Sequence, residues 1–220
     1  LWVTAVSQSG GRGRQGRAWV SEPGNLYASV VLIDPAPIER VGTLPLVVAL
    51  AVHDALRPDF AALPDRLKIK WPNDILIDGA KVNGVLIESE RLADGRLAVV
   101  AGIGVNVVSH PGSTPYPATD LRQAGAATGL DTLLGRLATA FSSRLGEWRA
   151  GTGFAHLRPA WKAAARGLGD EVSVRLADGE ARGVFEDLDE EGYLCLATPT
   201  GRRRISAGDL FFIPASGTMK

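Results

Sequence analysis

The sequence predicts an α+β fold: a mixed or antiparallel sheet with packed helices, followed by a small C-terminal β-barrel. Three observations point there. Two Asp-Gly pairs, Asp78-Gly79 and Asp94-Gly95, sit between apolar, β-branched stretches, which is a hairpin pattern. Stretches with helical character lie at 44–56, 131–148 and 154–166. After Gly167 the pattern changes to short strands broken by turn signals at Asp178-Gly179, Glu191-Gly192 and Thr200-Gly201.

In chain order, 1–6 reads as a short strand and 7–18 as a Gly/Arg-rich loop. The β-branched, apolar segment 25–33 reads as a buried strand. Leu44–Leu56 is apolar on every side and long enough for a core helix. Residues 67–71 form a strand that Pro72 stops, because proline excludes the residue before it from the helical region. Strands follow over 75–77, 81–88 and 97–107, then a Pro/Gly/Ser loop over 109–117. The helix predicted over 131–148 carries Leu133, Leu134, Leu137, Phe141, Leu145 and Trp148 on one stripe. The helix over 154–166 tolerates Pro159 only near its start. A boundary near Gly169 separates a first domain, 1–168, from a second, 169–220, whose strands are expected from Glu171 to Pro214.

The chain has 220 residues with 24 basic and 24 acidic side chains. That balance argues against broad electrostatic binding to nucleic acid or to an anionic membrane, both of which need surplus positive charge. The longest apolar run, Leu44 to Val52, is far shorter than the roughly 20 residues that cross a bilayer. Cys195 is the single cysteine, so no internal disulfide forms, and His53, His110 and His156 are scattered without metal spacing. This composition fits a reducing, cytoplasmic setting. The chain opens on Leu1 inside a strand, from which further N-terminal sequence is expected.

Gly11 to Gly16 fits the G-x-G-x-x-G pattern, yet no helix can open directly behind it, because Trp19, Val20, Pro23 and Gly24 intervene before the next strand. A dinucleotide fingerprint needs that helix N-terminus for the pyrophosphate. The loop instead offers Arg12, Arg14 and Arg17, which hold phosphate or carboxylate in a bidentate way at any relevant pH. A solvated surface loop or a non-specific RNA contact is the bland alternative. Lys70-Trp71-Pro72-Asn73-Asp74 is a turn in which Asn73 and Asp74 are common turn formers. Lys81 lies in an otherwise apolar strand, either as edge protection or as a cation aimed into a pocket. Gly84 indicates a bulge or close approach by a ligand or backbone, and Gly102 and Gly104 leave room within an apolar strand that ends at Asn106.

Taken together, Gln8 with GRGRQGRAW, NLY at 25–27, KWPNDILIDGAKVNGVLIE and GIGVNV resemble the biotin–protein ligase family in order, spacing and motif over Val3–Val108. The C-terminal part is similar to the SH3-like domain these ligases carry. The resemblance implies a class II synthetase-like catalytic domain that adenylates biotin with ATP and Mg2+. Biotin then passes to a lysine of a biotin carboxyl carrier protein or domain. It places Gln8, Arg12, Gly13, Arg14, Trp19, Lys81, Gly84, Val85, Gly102 and Gly104 around biotin. It places Arg12, Arg14, Arg17, Asn73, Lys81 and Asn106 on the ATP side, with Asp74 as a magnesium ligand or orienting group and Lys81 and Arg14 as catalytic groups. It also implies a homodimer. Family members carry a Ser-Thr-Asn segment ahead of this first strand, and several have Arg where Gln15 stands.

Two other readings remain. One is a related cofactor ligase such as a lipoate–protein ligase, with a longer apolar pocket. The other is a non-catalytic nucleic-acid-binding module built on the Arg/Gly loop and Arg202-Arg203-Arg204, against which the neutral charge speaks. On the ligase reading, Lys81→Ala and Arg14→Ala each lose most of the adenylation rate, measured as biotin-dependent pyrophosphate exchange, with far-UV circular dichroism unchanged. Near-normal exchange in Lys81→Ala overturns the role of that lysine.

Overall fold

The computed structural model describes residues 1–213; residues 214–220, including the expected strand limit at Pro214, lie outside the described residues. Strand β1 (Trp2–Ala5) and β2 (Leu26–Ile33) precede helix α1 (Leu44–Leu56). Strands β3 (Leu67–Lys70), β4 (Asp74–Ile77), β5 (Ala80–Arg91) and β6 (Leu97–Val105) follow, then α2 (Leu130–Trp148) and α3 (Phe154–Ala164). The C-terminal part holds β7 (Glu171–Leu176), β8 (Gly179–Leu188), β9 (Leu194–Thr198), β10 (Gly201–Ile205) and β11 (Asp209–Phe212).

The first six strands form one sheet in the order β1-β2-β6-β5-β4-β3. Every ladder in it is antiparallel. Parallel contact is confined to single bridging pairs, Ile69 with Ala165 and Lys81 with Ala118. The β4–β5 hairpin turns on Asp78 and Gly79, both at positive φ, which matches the right-handed twist of the flanking strands.

Side chains alternate across this sheet and so divide it into two functional faces. In β6, Leu97, Val99, Ala101, Ile103 and Val105 are buried, while Val100, Gly102 and Gly104 face the opposite way into a cleft. Helix α1 covers the core face. It is apolar all round because it packs at once on the sheet, α2 and α3. With its flanking turns it spans Ile38–Phe60, long and apolar enough by composition to cross a bilayer, but it is the core helix of this fold. Helix α2 buries Leu133, Leu137, Phe141 and Trp148 of the predicted stripe, and the Trp148 indole N–H donates to Thr43 Oγ1 at 2.8 Å. Helix α3 runs through Pro159, well inside the helix rather than near its start. Burial of Leu157 and Trp161 on either side pins the helix, which offsets the backbone hydrogen bond that proline cannot donate.

The C-terminal strands form a five-stranded antiparallel sheet in the order β10-β9-β8-β7-β11. Its outer strands β10 and β11 do not pair, so the expected barrel is an unclosed sheet. It is fastened to the first sheet and to α3 by one buried contact and one partly exposed ion-pair cluster. Trp71, in a cis peptide bond with Pro72, donates its indole N–H to the Gly192 carbonyl at 3.3 Å. Asp187 on β8 accepts from Arg158 and Lys162 of α3, each at 2.6 Å.

Gly192 sits at φ 80°, where a Cβ would run into a methyl of Leu46 on α1. Gly192→Ala is therefore expected to destabilise the chain by about 2 kcal/mol, from backbone strain plus overpacking. Urea denaturation checks this, and an unchanged midpoint contradicts a tight seam between the second sheet and α1.

Candidate active site

The cleft face of the first sheet, the arginine loop and one edge of the second sheet enclose a space of about 230 Å³. Of the residues expected to form a site, the structure brings twelve to its walls: Gln8, Arg12, Gly13, Arg14, Arg17, Trp19, Asp74, Lys81, Gly84, Val85, Gly102 and Gly104. The two asparagines are not among them. Asn73 is buried and donates its amide to the Val85 carbonyl at 2.6 Å; Asn106 is buried and donates to Thr119 O at 3.0 Å. Both spend their amides on tying strand ends and loops together behind the cleft.

The floor depends on a glycine pair. Gly84 and Gly104 face each other across the β5–β6 ladder, and the Trp19 indole lies on both. A Cβ on Gly104 would stand 2.6 Å from Trp19 Nε1, and one on Gly84 would stand 3.0 Å from Cζ3. The room these glycines make is thus taken by Trp19, whereas Gly102 faces more open space. Trp19 is held by its backbone N–H, which donates to Gly11 O at 2.9 Å, and its indole Nε1 is buried without a partner. Gln8 accepts from the Ser21 hydroxyl at 2.7 Å at the same end of the cleft.

At the other end, Asp74 takes Lys81 at 2.6 Å on one oxygen and Lys70 at 3.0 Å on the other. All three side chains are 14% exposed. Lys81 reaches the cleft because of a register shift. Ile75 pairs with Asn83 but Leu76 pairs with Lys81, so β5 carries one extra residue, Val82. That bulge turns Lys81 onto the same face as Gly84. Burial pushes the Asp74 carboxyl up, but the charges of Lys81 and Lys70 outweigh it and hold the carboxyl below its ordinary value. The stabilisation from these pairs is complete above the unfolded carboxyl value of about 3.9 and is lost only as pH falls through the lower folded value.

Asp74, expected as a magnesium ligand or an orienting group, orients Lys81 and Lys70 in this structure. Both its oxygens are engaged by ammonium groups, and among the described residues no three His, Cys, Asp or Glu side chains gather into one cluster.

The arginine loop makes one 3-10 turn at Arg14–Gly16 and no longer helix. Arg17 pairs with Asp209 of β11 at 2.7 Å, and Arg14 donates to the Gly208 carbonyl at 3.1 Å with Asp209 at 3.9 Å. Arg12 reaches outward to Glu88 at 3.1 Å and is largely exposed. The sequence reading missed Lys70, Tyr116, Glu88, Asp209 and Phe211 as cleft residues. Lys70 was legible as the first residue of the Lys-Trp-Pro-Asn-Asp segment. The others come from a loop, a strand end and a second sheet, and carried no local signal. Arg202 and Arg204 are matched by Glu186, Asp189 and Glu191, so the expected basic patch on β10 is largely neutralised.

The cleft holds paired cations, is lined by the Trp19 indole and is backed by an antiparallel sheet, an arrangement that suits an anionic ligand. The biotin/lipoate A/B protein ligase family profile matches residues 1–106, and the biotin protein ligase C-terminal domain profile matches 167–212. A biotin–[acetyl-CoA-carboxylase] ligase of Paracoccus denitrificans is 40% identical, covering 96% of this chain and 90% of that protein. The corresponding ligase of Mycobacterium tuberculosis is 33% identical, with 94% and 77% covered. The solved biotin protein ligase of Aquifex aeolicus, in complex with biotin and ATP, matches with a TM-score of 0.82 at 30% identity, covering 97% of this chain and 89% of that one. This chain spans 65% of the bifunctional ligase/repressor of Bacillus subtilis, which is 33% identical. The chain belongs to the biotin–protein ligase family.

If Asp209 clasps the arginine loop, Asp209→Asn exposes it. Trypsin cleavage after Arg14 or Arg17 is then expected to quicken roughly tenfold, the loss of one charge-assisted bond of about 1.5 kcal/mol. An unchanged cleavage rate shows that the loop is held by other contacts.

Proposed function

We propose that this chain is a biotin–protein ligase that adenylates biotin with ATP and transfers it to a lysine of a biotin carboxyl carrier domain of an acetyl-CoA carboxylase. The observation that carries the reading is the convergence of Lys81, Lys70, Arg14 and Arg17 on one cleft, each paired with a protein carboxylate that an anionic substrate can replace. In the first step a biotin carboxylate oxygen attacks the α-phosphorus. The bond from that phosphorus to the β-phosphate bridging oxygen breaks, and pyrophosphate leaves. In the second step the carrier lysine amine attacks the biotinyl carbonyl, AMP departs with the bonding pair, and the amine loses a proton.

Neither step needs an enzyme nucleophile. The difficulty is to bring two anions together, and preset cations lower that cost where charge builds up. Lys81 and Arg14 serve the reacting carboxylate and α-phosphate. Arg12 and Arg17 close the loop over the nucleotide, and Trp19 lines the biotin end. Magnesium belongs to this reading as part of the ATP substrate. A homodimer and a cytoplasmic setting belong to it through the family resemblance and the single buried cysteine respectively.

Pyrophosphate exchange into ATP, run with magnesium and biotin or lipoate, tests the reading. Exchange with biotin alone is expected. Exchange with lipoate alone moves the assignment to the related cofactor ligases. Absence of exchange with either acid removes the adenylation reading, and salt-sensitive RNA binding by the same chain would then support the nucleic-acid module.

A further inference from the structure

We propose that Tyr116 is a positioning residue for the ligase reaction, holding Lys81 and Lys70 together over its ring so that both ammonium groups meet the incoming anions. The chemical benefit rests on the ligase reading; the geometry does not. Lys81 Nζ lies 5.2 Å and Lys70 Nζ 5.4 Å from the centre of the Tyr116 ring, within reach of the ring's electron-rich face. The two lysines come from β5 and β3, with β4 between them. Asp74 on β4 gives them one negative charge to share. The ring adds a second attraction that carries no charge of its own, so the cleft keeps its net positive character for a substrate.

The fold seats this ring without help from a ligand. The segment beyond Tyr116 runs beside Lys81: the Lys81 N–H donates to Pro117 O at 2.8 Å, and the Thr119 N–H donates back to Lys81 O at 2.9 Å. The backbone that carries the lysine thus also carries the ring. Pro115 and Pro117 flank Tyr116 and narrow its backbone freedom. The Thr114 hydroxyl donates to the Tyr116 carbonyl, and His110 Nδ1 meets Asp120 Oδ2 at 2.7 Å to close the loop behind it. A ring that only filled space would be replaceable by any apolar side chain of similar bulk; one that holds cations needs an aromatic face.

The chain has five lysines, at 68, 70, 81, 162 and 220, so lysine labelled with 13C gives a spectrum of five Cε resonances. Lys70→Arg and Lys81→Arg assign the two of interest. Ring-current shifts are expected to move the Cε protons of Lys70 and Lys81 upfield of those of Lys68 and Lys162. Tyr116→Phe is expected to keep the displacement; Tyr116→Leu is expected to abolish it for Lys70 and reduce it for Lys81, which Trp19 also approaches at 5.8 Å. In pyrophosphate exchange, Tyr116→Leu should lower kcat/KM for ATP roughly tenfold and Tyr116→Phe should stay within about twofold of the parent. Undisplaced Lys70 and Lys81 resonances in the parent chain overturn the proposal even if Tyr116→Leu fails to fold. Equal behaviour of the Leu and Phe variants in both assays also overturns it. If the parent chain shows no exchange, the ligase reading fails, and the resonances still decide whether the ring holds the lysines.

Discussion

The site is organised around a nearly buried carboxylate that carries two ammonium groups, Asp74 with Lys81 at 2.6 Å and Lys70 at 3.0 Å. Cations withdrawn from water are costly unless compensated, and two of them side by side repel each other as well. Asp74 offsets one charge and leaves about one in excess. Its carboxyl is held below its ordinary value, so it stays ionised throughout the neutral range. The arrangement is stable without substrate and still attractive to a substrate anion. It also requires β3, β4 and β5 to be in register, since each supplies one member of the trio.

The arginine loop repeats the device with a partner from elsewhere in the chain. Asp209 on β11 takes Arg17 at 2.7 Å and lies 3.9 Å from Arg14, so these guanidinium groups have a carboxylate in place already. The second sheet therefore does more than pack against the first. It supplies one wall of the cleft and a resting partner for a glycine-rich loop that would otherwise cost conformational entropy to order. Its own attachment rests on a buried link from the Trp71 indole to Gly192 and on partly exposed pairs from Asp187 to Arg158 and Lys162.

Glycines set the depth of the cleft. Gly84 and Gly104 are cross-strand neighbours, and any side chain on Gly104 would displace the Trp19 indole. Two residues that weaken a strand are tolerated there because the ring laid over them recovers apolar contact on the same face. The indole also completes the cation environment, with its ring 5.8 Å from Lys81 Nζ.

Much of this was legible in the order of residues. The apolar run at 44–56 became α1 at the same limits, because a stretch apolar on every side can only be buried. Asp78-Gly79 became the β4–β5 turn, because both residues accept positive φ. The Gly/Arg loop, Lys81 and the glycine pair reached the cleft as the motifs indicated. The closure of the C-terminal barrel, the course of α3 through Pro159 and the inward-turned amides of Asn73 and Asn106 were not legible. Each depends on neighbours distant in sequence. By itself the sequence determined the element types, the turn positions and the residue chemistry at the site, since these follow from local backbone preference and hydrophobic period. Only the tertiary structure decided which charges meet. The Val82 bulge turns Lys81 to the cleft, Tyr116 arrives on a loop annealed to that lysine, and Asp209 comes from another sheet. A side chain's partner across the fold is fixed by strand register and packing, which no local pattern encodes.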